Sequence, residues 1–218
     1  GDQVIIKYES GVEIFGGKTK MPQKRTKVRA RVVATELISL ISESSNVLIM
    51  GHRYADFDAF GAAVLELAKE DPTVIGIGAD TTSNLGMKQM AKEMPNRVYN
   101  VGIAEQNMMG IAAGMAATGF RVFGGSFAPF ICMRSLEQFR TFIAYPHLNV
   151  VMAGGMGGLG AANEGVTHQC PEDVAIMRTI AGNVVVAPAD TASTRAVVLA
   201  LDIRSWPQRP QRPARQGA

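Results

Sequence analysis

The stretch Val101-Gly-Ile-Ala-Glu-Gln-Asn-Met-Met-Gly110 sets one carboxylate, Glu105, between a short apolar strand (Arg97 to Val101) and a helix rich in small residues (Asn107 to Ala117). A carboxylate at such a junction can be drawn out of water, and desolvation favours its neutral, proton-sharing form. Few chemistries want a Glu in that condition; hydrogen bonding to a neutral ring nitrogen is one. The plainer alternative is a solvated capping Glu, because carboxylates favour a helix N-terminus.

Phe127 and Phe130 stand three apart just beyond a strand ending at Gly125. They could flank a planar ligand, although spacing alone favours ordinary core packing. His168, in Glu164-Gly-Val-Thr-His168, could donate to a developing alkoxide or move a proton. A loop histidine bonded to backbone is the bland counterpart. Asp80 sits in the polar loop Ala79-Asp-Thr-Thr82, which a strand opens into. His52, Asp56 and Asp58 form an H-x-x-x-D-x-D array, and imidazole with two carboxylates suits a divalent metal such as Mn²⁺. A polar loop holding no metal is favoured over that reading. Gly155, Gly157 and Gly160 spell G-x-G-x-x-G after a strand, but dinucleotide binding also needs a helix to open there.

An α/β frame must carry these groups. From about Phe60, helices at Gly61–Lys69, Met87–Met94, Asn107–Thr118, Met133–Ala144, Pro171–Arg178 and Thr191–Leu201 alternate with strands at Val74–Gly78, Arg97–Val101, Arg121–Gly125, Asn149–Ala153 and Asn183–Ala187. Such alternation predicts a mostly parallel sheet with helices on both faces, and ligands bind beyond the carboxyl ends of its strands. Before it stand a strand at Val4–Tyr8, a basic run from Lys18 to Arg31, an amphipathic helix from Lys27 to Ser42 and a short buried strand at Asn46–Met50. The Pro-, Gln- and Arg-rich stretch from Trp206 to Ala218 lacks any apolar period and is expected to be disordered.

The 218 residues carry a net charge of only +3, and the basic excess gathers near the two ends, which argues against a nucleic-acid surface. No apolar run is long enough to span a membrane, and no leader pattern is visible at the start. The two cysteines, Cys132 and Cys170, lack metal spacing and read as free thiols of a cytoplasmic protein.

Taken together, Gly102-Ile-Ala-Glu-Gln106, Ser126-Phe-Ala-Pro-Phe130, Ile143-Ala-Tyr-Pro146, Glu164-Gly-Val-Thr-His-Gln169 and Ala187-Pro-Ala-Asp190 resemble the pyrimidine-binding domain of transketolase-like, thiamine-diphosphate enzymes. The likeness covers about residues 60–201 and is greatest to split forms, in which this half is a separate C-terminal subunit. It implies that Glu105 contacts the aminopyrimidine ring of the cofactor, that Phe127 and Phe130 pack around it, and that Asp80 lies close by. It further implies that His168 reaches substrate oxygens and that Glu164 reads a substrate hydroxyl. Met133 stands where a third aromatic is common in the family. Gly154 to Gly158 stand where a donor-binding histidine is common, which leaves sugar specificity open. The diphosphate and its Mg²⁺ would fall to a partner subunit, in a homo- or hetero-oligomer acting on a sugar by two-carbon ketol transfer.

Residues 1–63 resemble the start of a DHH-family cyclic-dinucleotide phosphodiesterase, on Lys24-Arg-Thr-Lys-Val-Arg-Ala30 and the array at His52, Asp56 and Asp58. The later metal motifs of that family are missing, so this site would be vestigial. The expected organisation is a small incomplete α/β fragment over 1–62, a pyrimidine-binding domain over 63–201 and a tail over 202–218. The seam at Ala59 to Glu70 fits either piece, as if two fragments were joined there. A truncated phosphodiesterase and a non-catalytic interaction module remain the alternatives to a transketolase-like half-enzyme.

Overall fold

The computed structural model of the chain describes residues 4–8, 11–15, 46–50 and 57–200. The expected helix at 27–42, His52, Asp56 and the tail from 202 lie outside the described residues. β1 (Val4–Tyr8) pairs antiparallel with β2 (Gly11–Phe15), a partner that sequence reading had not assigned.

The main sheet contains β3 (Asn46–Met50), β4 (Val74–Gly78), β5 (Val98–Asn100), β6 (Arg121–Phe127), β7 (Val150–Gly155) and β8 (Asn183–Val186). Its order is β5-β4-β6-β7-β3-β8, and every pairing is parallel. Parallel strands covered on both faces need continuous apolar runs rather than alternation. Accordingly all of Val74–Gly78 and all of Val150–Gly155 are buried. Two features cross the junction expected near residue 62. β3 lies between β7 and β8, and α1 (Phe57–Glu70) runs through the junction without a break.

The remaining helices are α2 (Lys88–Glu93), α3 (Glu105–Ala117), α4 (Asp173–Met177) and α5 (Thr191–Ala200). One face of the sheet packs Phe60, Val64, Met87, Met90, Phe123 and Val197, which come largely from α1, α2 and α5. The other packs Met108, Met109, Ile131, Phe139, Ile143 and Met177 under α3, α4 and the stretch after β6. Burying a side chain such as Phe60 or Phe139 contributes about 1.5–3 kcal/mol.

That stretch was expected as one regular helix. It instead makes two wide turns, Phe130–Arg134 and Phe139–Ala144, around a short α turn at Leu136–Gln138. Ser135 N donates to the carbonyl of Phe130 (3.1 Å) and Tyr145 N to that of Arg140 (2.9 Å), each five residues back. The buried Ser135 hydroxyl also bonds the Phe130 carbonyl at 2.9 Å, a local bond that competes with the regular ladder. Wide turns of this kind concentrate at functional sites.

From β4 the chain moves outward to β5, then crosses back to β6 on the other side of β4. In open parallel sheets such a reversal is where ligands bind, here beyond the carboxyl ends of β4 and β6. Close strand approach there depends on Gly125, where a Cβ would stand 2.2 Å from the carbonyl oxygen of Ala153.

The amino ends of the same strands are tied by Asp71. One of its oxygens accepts from the Thr73 amide and hydroxyl, both at 2.7 Å, and the other from Arg121 at 2.8 Å. Burial works to raise this carboxyl, but the Thr73 bonds and the Arg121 guanidinium outweigh it and hold Asp71 below the ordinary carboxylate range.

Candidate active site

Glu105 is the first residue of α3 and is only 2% exposed. Met108 and Met109, one turn on, are fully buried, and their packing draws the start of the helix into the protein. The solvated-cap alternative therefore does not describe Glu105. Its Oε2 accepts from Arg134 Nη1 at 3.0 Å, and the Arg134 side chain is itself 48% exposed. The same guanidinium lies over the Phe130 ring, 4.4 Å from its centroid.

Phe130 continues the cluster. Its ring meets Phe127 edge-on at 6.0 Å and His168 at 5.1 Å, and His168 meets Phe127 at 5.2 Å. These three rings are half-buried rather than enclosed in the core. They stand where β6 ends, beside the loop that follows β7. His168 Nδ1 lies 3.0 Å from the Thr167 hydroxyl. Glu105, Arg134, Phe130, His168 and Phe127 thus form one connected set, drawn from three separate segments.

The loops beside it are held by a residue that sequence reading missed. Asn100, at the end of β5, uses one side-chain oxygen to accept from the amides of Asp80 (2.9 Å) and Gly102 (3.1 Å). It thereby ties the loop after β4 to the loop that leads into Glu105. Asp80 is exposed and held at φ 60°, and Gly102 at φ 74°. Left-handed backbone at Asp80 is uncommon outside Gly and Asn, and this clamp holds it. An Asn at a strand end two residues before a Gly was the available sign. The buried Ser126 hydroxyl, next to Phe127, has no hydrogen-bond partner among the described residues.

The other sequence candidates fall as follows. Glu164 is exposed, in a short turn at Ala162–Glu164. The glycine-rich stretch opens no helix. Gly155 is the last residue of β7, turns follow, and Gly158 N donates to Asp173 Oδ2 at 3.1 Å. The dinucleotide reading fails on that geometry, and Asp173 serves the loop instead. Asp58 is exposed in the first turn of α1, and among the described residues no group of three metal-ligating side chains assembles. Cys132 and Cys170 are free thiols, both buried. Burial pushes both thiols up, Cys170 to about 11, so neither is a ready nucleophile.

A buried carboxylate beside two half-open aromatic faces fits a flat, nitrogen-containing heteroaromatic ring. The loops beside these strand ends expose apolar side chains: Ile103 is 75% exposed, Leu159 67% and Val166 82%. No helix among the described residues is long and apolar enough to cross a membrane.

Comparison with known proteins finds relatives of the chain. Residues 54–207 match the family described as "Transketolase, pyrimidine binding domain". The chain is 41% identical over 139 residues to a "Putative transketolase C-terminal section" of Methanocaldococcus jannaschii, covering 64% of this chain and 44% of that protein. It is 40% identical over 139 residues to a "6-deoxy-6-sulfo-D-fructose transketolase subunit SqwH" of a Clostridium species, covering 64% of this chain and 43% of the relative. It is 37% identical over 140 residues to one of the subunits of an apulose-4-phosphate transketolase from Phocaeicola vulgatus, covering 64% of this chain and 45% of that subunit. A solved structure, "Split gene transketolase, inactive beta4 tetramer", superposes with a TM-score of 0.60 at 40% identity, over 69% of this chain and 48% of that one. The chain therefore spans less than half the length of these relatives.

Proposed function

We propose a half-enzyme, from the premise that the chain belongs to the transketolase pyrimidine-binding domain family. In this reading it contributes one wall of a thiamine-diphosphate site for two-carbon ketol transfer between sugars. A diphosphate-binding subunit contributes the other wall and holds Mg²⁺. When bound, the cofactor supplies an electron sink for cleaving the bond beside a ketose carbonyl.

The observation that carries the reading is the buried Glu105 joined through Arg134 to the Phe130, Phe127 and His168 cluster. Glu105 would share a proton with a ring nitrogen, a task for which a carboxylate out of water suits better than a hydrated one. Phe127 and Phe130 would exclude water from the ring. His168, a short step away, would donate to a substrate oxygen as charge develops there. Glu164 and Asp80, both exposed, would meet substrate hydroxyls and the cofactor's surroundings from the loops. The exposed apolar side chains of Ile103, Leu159 and Val166 support a partner, since such surface marks a protein interface.

Titration with thiamine diphosphate and Mg²⁺, with the diphosphate-binding subunit of a split transketolase present, tests the reading. Saturable binding that Glu105→Gln abolishes supports it. Binding that ignores this substitution, or no binding at all, overturns it.

A further inference from the structure

We propose that Arg134 is an internal stand-in for the cofactor ring, a latch that fills the half-site when it is empty and must swing away when the ring enters. This rests on the ring-binding reading of Glu105 and adds a residue that governs access to it.

The geometry is that of ligand recognition made within the chain. A guanidinium is a planar N–C–N group, and the edge of an aminopyrimidine presents a planar N–C–N edge as well. Arg134 gives one N–H to Glu105 Oε2 at 3.0 Å, and its guanidinium carbon lies over the Phe130 ring, 4.4 Å from the centroid. Those are the carboxylate and an aromatic face that a bound ring would use. Both contacts are made by one group, so a ring bonded to Glu105 Oε2 and packed on Phe130 would need the place the guanidinium holds.

Charge adds to the competition. Glu105 is nearly inaccessible, and an unpaired carboxylate there is costly. Arg134 removes that cost in the empty state while keeping about half of its own side chain in water. A half-exposed side chain can leave without unfolding anything, which a latch requires. The wide turn that ends at Ser135 carries Phe130 and Arg134 together, so the cation–ring contact and the ion pair share one local frame.

The test measures thiamine-diphosphate affinity of the full chain with Mg²⁺ and the diphosphate-binding subunit, for wild type, Arg134→Gln and Arg134→Lys. Each variant's melting temperature is recorded as a folding control. Removing the latch should tighten binding roughly tenfold. Arg134→Lys keeps the charge but not the plane, and should fall between the other two. In Arg134→Ala, methylguanidinium should compete with the cofactor, whereas wild type should be indifferent to it. If wild type binds and folded Arg134→Gln binds equally or more weakly, Arg134 is no latch, and the ring-binding reading stands without it. If no form binds, the ring-binding reading falls and this inference falls with it.

Discussion

The two ends of the sheet each hold a carboxylate paired with an arginine, and they use the pair differently. At the amino end Asp71 meets Arg121, with side chains 26% and 14% exposed. Both Asp71 oxygens are engaged, by Thr73 on one side and Arg121 on the other. At the carboxyl end Glu105 is far more deeply buried, yet among the described residues it accepts a single hydrogen bond, from a half-exposed Arg134. At the same end of the sheet are the Ser126 hydroxyl, without a partner among the described residues, and left-handed backbone at Asp80 and Met156. A fully bonded pair is a tie. A buried carboxylate with capacity left over, amid strained loops, is a place where something else can bind.

The sharpest way to break this comparison is to neutralise one carboxylate at each end. Glu105→Gln should cost about 10²–10⁴-fold in ketol transfer by the reconstituted enzyme, the range for a positioned acid–base group. It should change the melting temperature little, because Gln keeps the size and an acceptor oxygen while the lost partner, Arg134, is half in water. A lowered melting temperature with activity intact would make Glu105 another tie. His168→Ala should follow with roughly 10²-fold lower activity and little change in cofactor affinity, since its proposed partner is substrate oxygen. Loss of affinity with turnover preserved would move His168 from the substrate to the ring.

How far the sequence showed this contrast depends on the range of each contact. The parallel sheet was legible because Val74–Gly78 and Val150–Gly155 are unbroken small and apolar runs between helical patterns. Glu105, Phe127, Phe130 and His168 stood out as residue types in short phrases. Arg134 did not, because its partner Glu105 lies 29 residues away. The physical hint was there: a buried carboxylate requires a cation, and Arg134 follows Phe130 by one turn. Asn100 was missed for the same reason, since its bond to Asp80 spans 20 residues. β3 was read with the first piece, and a short apolar strand carries no mark of the sheet it will join. The wide turns after Pro129 were invisible because their hydrophobic spacing still resembles that of a regular helix.

At the amino end, Asp71→Ala should lower stability by about 2 kcal/mol, the cost of leaving hydrogen-bonded partners without their acceptor. For a chain of this length that is a fall of about 4–8 °C in melting temperature. Cofactor affinity in the complex should not change. If affinity falls as far as for Glu105→Gln, the two ends are not separable and the contrast fails.

The smallest effect concerns acid, and its sign follows from the depressed Asp71 carboxyl. A group whose folded value lies below its unfolded value stabilises the fold at all pH above the unfolded value. The contribution fades as pH falls through the ordinary carboxylate range near about 4 and on through the lower folded value. Urea unfolding of wild type and Asp71→Asn should therefore differ most at neutral pH and converge as the solution is acidified. If the gap is constant with pH, the tie works through the shape of its hydrogen bonds rather than its charge. The difference between the two ends then lies in bonding capacity, with electrostatics equal at both.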